Sequence, residues 1–189
     1  MAKVSWKPGT MIYPLPAVLV TCGENEKVWT MLTVAWVGTI CSDPAMCYIS
    51  VRPERASYPI LERCMEFTIN LTTAEMAHAT DWAGVRSGCD YNKWKETGLT
   101  PIKGEKVSSP TIEESPLSIE CRVKSIQHLG SHDMFIADVL NVRADDKYID
   151  PQTGQFLLSD ANLMAYSHGF YYELGKLIGR FGFSVQKKK

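Results

Sequence analysis

Two arginines and a serine fall within six residues of one another in the run Arg52-Pro53-Glu54-Arg55-Ala56-Ser57-Tyr58-Pro59, the densest concentration of chemistry in this chain. Each guanidinium is a planar, permanently charged fork of donors that suits a phosphate. Ser57 adds a hydroxyl, and Pro59 suits the first turn of a helix whose free N–H groups would add further donors. The segment predicts a phosphate grip. The plainer reading makes the arginines surface cations at a turn, with Arg55 paired to Glu54 or Glu62. β-type runs at residues 33–40, 47–51 and 67–71 flank the segment. A phosphate beside aromatic and β-branched strands suits a flat, nucleotide-like cofactor.

These elements are positioned by a chain that reads as mostly strand. Residues 17–21 and 27–31 form β-type runs around a turn at residues 23–26, which predicts a hairpin. Ser42-Asp43-Pro44 marks a further turn, and residues 58–63 a two-turn helix. Thr72 with Glu75 offers a capping box for a helix running to Trp82, and a second helix is expected from Asp90 as cap to a stop at Gly98. Residues 83–89 between them read as a flexible loop. Residues 117–127 alternate, with Ile119, Cys121 and Val123 on one face and Glu120, Arg122 and Lys124 on the other, so a half-exposed strand is expected there. Residues 128–132 interrupt it, residues 134–143 form another strand, residues 150–154 a turn, and the stretch to residue 172 reads as irregular. A short terminal helix is expected at residues 174–181, weakened by Gly175 and Gly179. Many short strands with helices inserted mid-chain predict an antiparallel barrel with excursions. There is no βαβ alternation, no Gly-x-Gly-x-x-Gly turn and no phosphate-binding lysine loop.

At 189 residues the chain suits one domain spanning residues 1–189. A formal charge of −1 gives no electrostatic case for nucleic acid or an acidic membrane surface, and Lys187 to Lys189 read as a solvated tail. No apolar run reaches the ~20 residues that would span a bilayer, and residues 1–7 do not lead into a signal-type core, so no membrane association and a cytoplasmic location are expected. Six scattered cysteines without a Cys-x-x-Cys pair read as reduced packing residues, Cys41 and Cys47 being the closest in sequence.

The segments 33–38, 50–58 and 66–70 together resemble the flavin reductase-like family, and more closely its flavoredoxin-like branch, the likeness running from about residue 14 to residue 183. The order strand, Arg-Pro-x-Arg-x-Ser loop, helix, Phe-x-x-Asn strand carries it. The resemblance implies a mainly β fold, an FMN-binding split β-barrel of Greek-key topology with added helices. It also implies a homodimer with FMN near the subunit interface. Five tryptophans suit such an interface, and an ordinary core equally. Carried over by position, Thr33, Val34, Ala35 and Trp36 lie along the flavin ring and offer backbone N–H groups to its polar edge, with Ser50 and Val51 beside them. Read alone, the same residues are ordinary β-core. Arg52, Arg55 and Ser57 take the phosphate, and Tyr58 either lines that pocket or bonds it. Asn70 either contacts the flavin or merely ends its strand. Ser87 and Cys89, in Arg86-Ser87-Gly88-Cys89, form either an extra phosphate or ribityl clamp or a plain helix connector.

The expected activity is that of a flavin reductase, with NADH, NADPH or a redox protein as electron donor. The alternative is a flavoredoxin-type carrier that is not an enzyme. The cofactor would do the hard chemistry, so no catalytic side chain is assigned. His78 reads as structural. His128 and His132 straddle Gly130 in a strand break, without metal-ligand spacing, and no metal is expected. His168, in an aromatic segment, suits a lid or a dimer contact. No Ser-His-Asp arrangement or carboxylate pair supports hydrolysis.

Overall fold

The structure is a computed structural model, and it describes residues 1–185. An arm without regular structure leads into β1 (Leu15–Pro16), β2 (Val18–Cys22), β3 (Thr30–Val34), β4 (Val37–Ser42) and β5 (Ala45–Val51). Then come α1 (Tyr58–Cys64), β6 (Glu66–Asn70), α2 (Ala77–Val85), α3 (Lys93–Thr97), β7 (Pro101–Ile102) and β8 (Thr111–Ile112). The long strands β9 (Leu117–His128) and β10 (Asp133–Ala144) follow, and a last hairpin of β11 (Met164–Ser167) and β12 (Phe170–Glu173) pairs with β1.

Seven strands form one sheet in the order β3-β2-β6-β9-β10-β5-β4, antiparallel throughout. Its two edge strands, β3 and β4, are consecutive in the chain and joined only by Ala35 and Trp36. The sheet must therefore curl until its edges meet. At that corner the Ser50 N–H donates to the Trp36 carbonyl at 2.8 Å. The result is a barrel whose strands connect in Greek-key fashion, as expected.

Inward-facing residues of every barrel strand fill the core, among them Val20, Val34, Ile49, Phe67, Cys121 and Phe135, and Leu61 of α1 joins them. A second cluster lies outside β2 and β3, where Leu19 and Met31 meet Met76, Ala79 and Ala83 of the α2 region. All five β2 residues are consequently buried, which explains an apolar run without alternation. Burying Leu19 and Met31 contributes about 1.5–3 kcal/mol each.

Several expectations need correction. The run 33–40 is two strands, broken at Ala35 and Trp36 because the chain crosses the barrel's open edge there. Thr72 does not cap a helix; its buried hydroxyl donates to the Ala17 carbonyl, and Thr73 precedes the 3₁₀ turn Ala74–Met76 instead. α2 extends to Val85, so the expected loop is shorter. Asn92, not Asp90, caps α3, its side chain accepting from Lys95 N–H at 3.2 Å, while Gly98 in the left-handed region (φ 69°) ends that helix as foreseen. Residues 164–173 form a hairpin rather than an irregular stretch, turned by His168 (φ 50°) and Gly169 (φ 92°). Residues 174–181 are not helical. Glu120 is fully buried: its carboxylate accepts the backbone N–H groups of Glu105, Lys106 and Val107. Among the cysteines, Cys47 lies beside Cys121, Sγ to Sγ 3.5 Å, whereas Cys41 turns to the Asp43 carbonyl and Cys89 is exposed. Lys187 to Lys189 lie outside the described residues, among which no helix is long and apolar enough to cross a membrane.

Candidate functional site

The barrel corner opens onto a cleft of about 230 Å³. Its floor is the end of β3, with Thr33 and Val34, together with the corner residues Ala35 and Trp36. Ser50, Val51 and Arg52, where β5 ends, form one side. Arg55 and the last turn of α2 close one end. Eight of the residues expected from sequence are thus brought together: Thr33, Val34, Ala35, Trp36, Ser50, Val51, Arg52 and Arg55.

The corner supplies donors because Ala35 and Trp36 lie outside the strand ladders. Among the described residues their N–H groups have no strand partner. Pro53 ends β5 by removing a ladder donor, and the chain then turns twice, Arg55 N–H to the Arg52 carbonyl (3.0 Å) and Tyr58 N–H to the Arg55 carbonyl (2.8 Å). Arg55 reaches back to donate to the Gly84 carbonyl at 2.8 Å, at the end of α2, rather than to Glu54 or Glu62. The approach there is close: a Cβ on Gly84 would stand 3.1 Å from the Thr33 Cβ, and a larger residue would have to push Thr33 by a few tenths of an ångström. Arg52 is exposed and makes no side-chain hydrogen bond or ion pair among the described residues, which leaves its charge available.

The other expected residues lie elsewhere. Ser57 is buried at the start of α1, its hydroxyl making no bond to the helix. Tyr58 is buried too and donates to Asp133 at 2.5 Å; that bond to the carboxylate, with burial, pushes the phenol up to about 12, and the same bond holds the Asp133 carboxyl below its ordinary range. Asn70 does not reach the cleft. It is fully buried, its amide donating to the Leu19 carbonyl (3.0 Å) and its oxygen accepting from Ile112 N–H (3.0 Å) and the Ser118 hydroxyl (2.7 Å). The Ser87 hydroxyl accepts from Cys89 N–H at 3.1 Å, closing its own turn, and Cys89 borders a neighbouring hollow instead.

Five residues that local sequence left unassigned now matter. His132, Asp81, Tyr166 and Tyr171 line the cleft. His132 stacks on Trp36, ring centres 5.4 Å apart, and burial and the Arg52 charge hold its imidazole below its usual range, so it is neutral at pH 7. The fifth, Lys93, is buried behind Arg55, with its ammonium donating to the Ala83 carbonyl at 2.6 Å. Burial first, and Arg55 second, push it down to about 8. No local signal marks it: Lys93 stands with Lys95, Glu96 and Thr97 in a mostly polar five-residue helix.

A cleft of this kind, on this barrel, has relatives. The model of the flavin reductase like domain matches residues 10–175, and the chain belongs to that family. Flavoredoxin of Desulfovibrio vulgaris (Miyazaki F) superposes with a TM-score of 0.87 at 26% identity, covering 98% of this chain and 100% of its own. That likeness sets the chain in the flavoredoxin-like branch. A putative flavin reductase with a split barrel domain from Shewanella frigidimarina superposes at 0.79 with 22% identity, over 90% of this chain and 86% of its own, and shares the fold. An uncharacterized protein of Archaeoglobus fulgidus is 28% identical over 139 residues, 74% of this chain and 77% of that one. The family assigns the chain a flavin-related redox role.

Proposed function

We propose that the protein binds FMN in this cleft and acts as a flavin reductase, taking electrons from NADH or NADPH and passing them to a further acceptor. The observation that carries this is the meeting, in one cleft, of backbone amides outside any ladder with a guanidinium that has no hydrogen-bond or ion-pair partner among the described residues. Those groups fit a phosphorylated flat ring. The Ala35 and Trp36 amides suit its polar edge, the exposed Trp36 side chain its apolar surface, and Arg52 and Arg55 its phosphate, with Lys93 adding positive charge behind Arg55. Bound FMN supplies hydride acceptance and electron transfer. The chain itself holds and orients the ring, and the fixed amide dipoles of the corner favour negative charge on the edge they face.

The cleft is smaller than the ~300 Å³ at which enclosed ligand sites begin, and it is open on one side. A second copy of the chain supplies the missing wall, making the working form a homodimer. Exposed apolar side chains on the terminal arms, Trp6, Ile12, Leu177 and Phe181, are available for that contact.

The likeness to flavoredoxin along nearly the whole chain favours a second reading, an electron carrier that is not an enzyme and is reduced by a protein partner. Anaerobic stopped-flow mixing of the FMN-loaded protein with NADH or NADPH separates the two. Bleaching of the flavin band within seconds supports the reductase. No bleaching by either nucleotide, with reduction by a redox protein, supports the carrier. Failure to take up FMN at all ends both.

A further inference from the structure

Two cleft residues with no part in gripping the phosphate face each other across its mouth. The Tyr171 hydroxyl on β12 donates to Asp81 on α2 at 3.1 Å. Among the described residues this is the side-chain hydrogen bond between the β11–β12 hairpin and α2. The base of the hairpin is fixed differently, by the Thr73 and Leu163 bridge and by Met164 N–H donating to the Thr72 carbonyl at 3.1 Å. Tyr166 and His168 pack on Tyr13 of the N-terminal arm, at 6.1 and 5.7 Å between ring centres. The hairpin's outer strand, β12, buries little apolar surface, Phe170 being 64% exposed and Tyr172 53%, whereas Met164 and Ala165 of β11 are buried and β11 pairs with β1. An outer strand with so few buried contacts moves at small cost, so a single hydrogen bond weighs heavily in its closed population. Burial and the Asp81 charge push the Tyr171 phenol up to about 12, so the hydroxyl remains a donor throughout the neutral range.

We infer that Asp81 and Tyr171 form a latch that holds the hairpin against α2 over the cleft and sets how fast a bound flavin leaves, making it a retained cofactor rather than a diffusing substrate. This rests on the flavin reading above. Both are positioning residues: they keep a wall of the site in place through each other and need not bond the flavin.

The test is FMN release after rapid dilution of the loaded full chain, followed by recovery of flavin fluorescence. Tyr171→Phe removes only the donor, whereas Asp81→Ala removes the acceptor together with its negative charge, for which Asp81→Asn is the control. Each is expected to speed release by about 5- to 10-fold, the factor one ordinary hydrogen bond supports, with association changed less than about twofold. The double variant should release no faster than either single one, and Asp81→Asn, which keeps an accepting oxygen, should restore release to near the wild-type rate. A merely structural loss would not show that rescue or that split between the two rates. Wild-type release rates in both single variants, or independent, multiplying effects in the double one, overturn the latch. Wild-type protein that takes up no FMN overturns the flavin reading itself, before any variant is made.

Discussion

Replacing Arg52 with alanine isolates the phosphate grip from the fold, because among the described residues this guanidinium makes no hydrogen bond or ion pair. A charge-assisted hydrogen bond to a phosphate is worth about 1.5–3 kcal/mol, and each ~1.4 kcal/mol is a factor of ten in affinity. FMN should therefore bind about 10- to 100-fold more weakly to Arg52→Ala, toward the lower figure at high salt because the residue is exposed. Stability should move by no more than about 0.5 kcal/mol, as for other surface substitutions. Arg55→Ala forms the contrast. It also loses the bond to the Gly84 carbonyl at the end of α2, so affinity and melting temperature should fall together. The assay is fluorescence titration of the apoprotein with FMN and, in parallel, with riboflavin, which has the ring but no phosphate. Riboflavin affinity should be the same for wild type and Arg52→Ala. An FMN curve that does not move, or equal losses for both ligands, would show that Arg52 does not hold a phosphate.

Three further outcomes follow from the buried groups. Lys93, held down near 8 by burial and Arg55, loses its proton as pH rises past that value, so FMN affinity should weaken between about pH 8 and 9.5 and Lys93→Met should abolish that decline; titrations across this range check it. The same shift fixes the sign for stability. The folded value lies below the unfolded 10.5, so the ammonium costs stability below about pH 8 and the cost disappears as pH climbs from there to 10.5; Lys93→Met apoprotein should then be the more stable at pH 7 in urea. Asn70→Ala should lose about 2–4 kcal/mol of stability in urea unfolding, because Ile112 N–H and the Leu19 carbonyl lose their buried partner. Weakened FMN binding at unchanged stability would instead return Asn70 to the flavin.

The sequence by itself determined what is local. Turn chemistry at residues 42–44, the Arg52 to Ser57 loop with Pro59 behind it, the Gly98 stop and the alternation of β9 each depend on neighbours a few residues away, and each stands where the chain's own pattern puts it. Tertiary structure decided the rest. Alternation set Glu120 on the solvent side with Arg122 and Lys124, but the loop carrying Glu105 to Val107 folds over that face and turns three N–H groups into it. Asn70, read from its position as either a flavin contact or a strand end, became a buried knot because β8 lies against its strand. The hairpin β11–β12 was illegible because its strands are only four residues long and β11 pairs with Leu15 and Pro16, some 150 residues earlier. Above all, Trp36, Arg52, Asp81, His132 and Tyr171 share one cleft only because the sheet's two edges are two residues apart in the chain, and closing that gap curls the barrel. No local pattern encodes that meeting; it follows from the long-range pairing of strands.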